Sequence, residues 1–87
     1  MDAKILFSKN LDRQTRLVVV SCEAKADETL DLKKVKDLSF AEVLFVSVYP
    51  QEANLLEGQA ADWDKTGVIT FGTPAGRTAR TVFAILK

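Results

Sequence analysis

The chain has 87 residues and a mass of 9.6 kDa, which fits one domain over residues 1–87. About 60–65% of the unfolded surface can be buried at this size, a thin core that favours association. Twelve basic and twelve acidic residues cancel, so no net field draws the chain to nucleic acid or to an anionic membrane.

In chain order, KILFSK at residues 4–9 predicts a short first or edge strand, with Ile5 and Phe7 on one face and Lys4, Leu6 and Ser8 on the other. A polar turn, NLDRQ, follows. TRLVVVSCEA at 15–24 has Leu17, Val19 and Ser21 on one face and Val18, Val20, Cys22 and Ala24 on the other. Both faces suit burial, which predicts an internal strand. KADETLDLKKVKDLSF is the one region with helical character: Leu32, Val35 and Leu38 recur every three residues, and Asp27 or Asp31 can cap. Either a short helix or a helical turn fits there, with the mixed charges on a solvated face. VLFVSVY at 43–49, rich in β-branched and aromatic residues and stopped by Pro50, predicts the central strand.

QEANLLEGQAAD at 51–62 has no clean period and is expected to be a loop with one helical turn, Leu55 and Leu56 reaching either the core or a partner. WDKTGVITF predicts a hairpin that enters at Trp63, turns at Asp64–Gly67 and leaves along Val68–Phe71. The last strand, 78–86, places Ala79, Thr81, Phe83 and Ile85 opposite Arg80, Val82, Ala84 and Leu86. Five or six short strands without alternating helices imply an all-β fold, an antiparallel sandwich or small barrel with one short helix at most.

The sequence is poor in reactive groups. It has no histidine, and its single Cys22 cannot form an internal disulfide and stands in an apolar run, as a small buried hydrophobe would. The acidic residues near 27–31 and at 62 and 64 lie in expected turns, where carboxylates cap backbone donors. No catalytic residue, metal site or cofactor is expected. No apolar run approaches the roughly 20 residues of a membrane helix, and MDAKILFSKN lacks signal-peptide anatomy, so synthesis in a cytoplasm without membrane association is expected.

GTPAGRTART at 72–81 is the one stretch that invites a chemical reading. It fails the P-loop pattern, because no lysine follows the second glycine and the next segment is a strand. A turn between strands fits better, with Pro74 fixing φ and Gly76 taking unusual angles. Thr73, Pro74, Arg77 and Arg80 are the candidate partner-contact residues, the arginines able to reach an acidic surface by charge-assisted hydrogen bonds. Solvated arginines are the plainer alternative. Phe71 and Phe83 are expected in the core, which disfavours a base-stacking barrel and nucleic acid as a partner.

The succession of RLVVVSCEA, an acidic Leu-rich connection, DLSFAEVLFVSVYP, the hairpin WDKTGVITF and the strand TVFAILK resembles the small β-rich decoration (cement) or minor head proteins of tailed bacteriophages. The resemblance covers residues 16–87 as a layout. It departs from the group where LKKVKDLSF stands in place of a Gly-rich loop. It implies a non-enzymatic virion protein on the capsid surface, made in the host cytoplasm, that binds the major capsid protein as a homo-oligomer, a trimer foremost, and stiffens the shell. The alternatives are a small OB-like nucleic-acid-binding module or a strand-edge adaptor.

Overall fold

The computed structural model describes residues 2–50, 61–72 and 75–87. Seven strands are present among them: β1 (Ala3–Asn10), β2 (Arg16–Ala24), β3 (Thr29–Asp31), β4 (Val43–Pro50), β5 (Ala61–Trp63), β6 (Val68–Phe71) and β7 (Thr78–Leu86). They form two antiparallel sheets, of order β1-β2-β7-β4 and β3-β6-β5. The expected all-β class is what the chain adopts. The expected loop at 51–60, with Leu55 and Leu56, lies outside the described residues.

One buried cluster joins the sheets. The four-stranded sheet supplies Val18, Val20, Cys22, Ala24, Val43, Val46, Val48, Val82, Ala84 and Leu86, and the smaller sheet supplies Leu30, Ile69 and Phe71. Every second residue of β2 and β7 points into this cluster, as strand geometry dictates. Leu32, Val35 and Leu38 complete it. Their three-residue spacing suits a 3-10 turn, which has three residues per turn, and Leu32–Lys34 forms one with the Asp31 side chain accepting from Lys33 N at 3.0 Å. Asp27, the other expected cap, instead takes a left-handed conformation with φ 69°.

Two expectations change. VLFVSVY is not central: β2 and β7 are the inner strands, and β4 ends the described sheet. Its high apolar content reflects two apolar faces of which one stays open, and Pro50, which has no N–H to donate, suits a strand at an edge. In β1 the alternation breaks, because the register shifts between Ile5 and Phe7. The bulge at Leu6 sends Ile5 to the core and Phe7 to the opposite face, where regular pleating would have kept them together.

The hairpin β5–β6 turns where expected. Asp64 Oδ1 accepts from the backbone N–H of Thr66 (3.0 Å), Gly67 (3.1 Å) and Val68 (3.2 Å). Gly67 has φ 102°, and a Cβ there would stand 2.7 Å from Phe40 Cζ, so both conformation and space demand glycine. At the β1–β2 turn, Asp12 Oδ1 accepts from Gln14 N (2.7 Å) and Thr15 N (2.8 Å). Hydrogen bonds hold both carboxyls below their ordinary value, from the Thr66 hydroxyl first for Asp64 and from the Gln14 N–H first for Asp12.

Because the folded values are depressed, the stabilisation is present above the unfolded carboxylate value of about 3.9 and is lost as pH falls through the folded values. Urea midpoints measured from neutral pH downward should therefore fall below about pH 4. Asp64→Asn should flatten that fall; an unchanged pH profile would show that Asp64 does not carry it.

Candidate functional site

The β6–β7 connection was the expected site, and the structure divides its residues. Thr73 and Pro74 lie outside the described residues. Arg77 is exposed and faces two carboxylates, Glu23 at 3.5 Å and Glu28 at 3.8 Å. An exposed pair of this kind contributes little to stability, so Arg77 can exchange its acids for those of a partner at small cost.

Arg80 corrects the expectation. It is fully buried, its Nε donates to the Ala24 carbonyl at 3.1 Å, and its guanidinium lies 5.2 Å from the Phe71 ring centroid. Strand alternation is the cause: with Val82, Ala84 and Leu86 facing inward, the residue two positions before Val82 must face inward as well. Burial pulls its pKa down, yet a guanidinium stays cationic at neutral pH. Across the ladder from it, Cys22 is buried and its thiol is pushed up by the same desolvation, which makes it an unreactive sulfur. Arg80 thus belongs to the fold, and of the two arginines Arg77 is the one at the surface.

The larger site is the outer face of the four-stranded sheet. Strand register sets its side chains in four rows: Lys9–Leu17–Ile85–Phe45, Phe7–Val19–Phe83–Ser47, Lys4–Ser21–Thr81–Tyr49 and Glu23–Ala79. Phe7 is 49% exposed, Phe45 51%, Tyr49 41% and Phe83 37%. Tyr49 and Phe83 meet edge to face, with centroids 5.7 Å apart and planes at 84°, an arrangement that fixes both rings. Leu6 and Leu44, at the two bulges, add to the exposed apolar surface. Among the described residues, the charges in these rows are Lys4, Lys9 and Glu23, all at the margin.

The placement of Phe83 reverses the core expectation, while Phe71 is in the core as expected. A signal for this face was present in the sequence. β2, β4 and β7 are apolar in both phases of their alternation, and a chain of this length builds two layers, so one phase must stay uncovered. Exposed apolar patches of this kind are where proteins commonly meet partners or ligands. No protein-family model, curated protein or solved structure matches the chain.

The two arginines should separate in urea denaturation. Arg80→Ala removes a fully buried side chain and its hydrogen bond and should cost about 2–4 kcal/mol. Arg77→Ala should stay within about 0.5 kcal/mol of the parent. Equal effects would contradict the division between buried and surface arginine.

Proposed function

We propose that this protein is a non-enzymatic structural component of a tailed-phage particle, a decoration protein that binds the major capsid protein on the outside of the shell and stabilises it by added interface. The observation that supports an assembly role is the apolar outer face of the β1-β2-β7-β4 sheet, which a lone domain leaves in water. Covering it releases that hydration, at roughly 25 cal/mol per Å² of apolar surface. The layout that resembles head decoration proteins supplies the shell as the larger assembly. Arg77, exposed in the connection between the sheets, is the side chain best placed to meet an acidic patch on a coat subunit. Many weak contacts of this kind on a repeating surface become firm through multivalency.

A second reading has one observation in its favour: exposed Phe7, Tyr49 and Phe83 with Lys4 and Lys9 on the same face are the elements of a platform for single-stranded nucleic acid. The aliphatic neighbours Leu17, Val19 and Ile85 and the zero net charge argue for a protein partner instead. Retention of single-stranded DNA that weakens steeply with salt would favour the second reading.

The decoration reading is tested by counting copies of the chain against the coat protein in purified particles by quantitative mass spectrometry. A number comparable to the coat protein is expected, and absence from particles would overturn the reading. Arg77→Ala should reduce co-sedimentation with particles several-fold while thermal unfolding stays unchanged. Undiminished co-sedimentation would remove the β6–β7 connection from the shell contact.

A further inference from the structure

We propose that the outer face of the four-stranded sheet packs against the same face of a second copy of this chain, about a two-fold axis parallel to the strands between β2 and β7. The proposal rests on the assembly reading above and names the occupant of the face.

Size is the first argument. Four strands about 4.8 Å apart, with rows spanning six residues at about 3.4 Å each plus the side chains at either end, give a footprint of roughly 450–500 Å². Two such faces bury on the order of 1,000 Å², the area at which specific interfaces begin.

Self-complementarity is the second. A two-fold axis along the strands keeps each row in place and reverses the strand order, so β1 covers β4 of the other copy and β2 covers β7. In the row Phe7–Val19–Phe83–Ser47, which alternates large and small, Phe7 then meets Ser47 and Val19 meets Phe83. Each ring faces a smaller residue on the other copy. In the neighbouring row Leu17 meets Ile85, an apolar pair at the centre of the face.

Charge is the third argument, and it selects this axis. The reversal brings Lys9 over Phe45 and Lys4 over Tyr49, where an ammonium group is attracted to a ring face. An axis across the strands would lay β1 over itself and bring Lys4 near Lys9, two like charges. Packed twisted sheets turn by about 30° relative to each other, which leaves the central pairs in register and moves the corners by a distance that a lysine side chain spans. Packing of this kind also covers each face whole, whereas a three-fold ring leaves part of each face in water. A pair presents two Arg77 connections to a shell, which raises avidity without a new contact.

The test is sedimentation of the purified chain at micromolar concentrations. A dimer is expected. Phe83→Glu should weaken it at least about tenfold with strand circular dichroism retained, as a charge at the centre of an interface does. If Phe83→Glu fails to fold, Ser47→Arg on the outermost strand serves the same purpose. Phe7→Cys/Ser47→Cys in a Cys22→Ala background should link into a covalent dimer with a bismaleimide of about 10 Å reach, the spacing of packed sheets; within one chain the two positions are three strands, about 14 Å, apart. A monomer, a trimer, a dimer insensitive to Phe83→Glu or Ser47→Arg, or the absence of the cross-link would each overturn the proposal. Copy counting on particles is read separately, so a dimer absent from particles would reject the decoration reading alone. A monomer abundant on particles would reject the pairing alone.

Discussion

The pairing of β2 with β7 is the contact on which the rest of the molecule depends. It runs unbroken from Arg16↔Leu86 to Ala24↔Thr78 and joins segments more than fifty residues apart. Because side chains alternate across a strand, this one register decides which residues make the core and which make the outer face. A slip of β7 by one residue against β2 would turn Val82 and Ala84 into water and bury Phe83.

The inner side of that pairing explains how the chain accommodates a cation in a thin core. Arg80 stands opposite Cys22, between the sheets, and is held by the Ala24 carbonyl on one side and the Phe71 ring on the other. A buried charge persists only where hydrogen bonds and electrostatic partners replace water. The position ties β7 of the larger sheet to β6 of the smaller one. It thereby sets the start of β7, and so the place where Arg77 reaches the surface beside Glu23 and Glu28.

The outer side explains the functional reading. The smaller sheet and the segment carrying Leu32, Val35 and Leu38 cover one face of the larger sheet. The other face remains apolar at its centre and charged at its margin, the distribution found in the buried patch of an interface. Among the described residues, the cysteine is buried with a raised pKa, and the depressed carboxyls Asp12 and Asp64 are committed to turns.

The residues alone carry the all-β class, the alternation of β2 and β7, the three-residue spacing of Leu32, Val35 and Leu38 and the β5–β6 hairpin with its Asp64–Gly67 turn. All of these follow from local periodicity and backbone preference, which act over a few residues. The strand order was decided only by the tertiary structure, which moved β4 from centre to edge, since apolar content measures burial plus exposed apolar surface and cannot tell them apart. Tertiary packing likewise buried Arg80 and left Phe83 open, although both lie on one strand whose alternation was legible. Alternation tells which residues share a face; which face is covered depends on a second sheet paired through distant segments. The Leu6 bulge, which a period-two reading cannot anticipate, added Phe7 to the open face for the same reason.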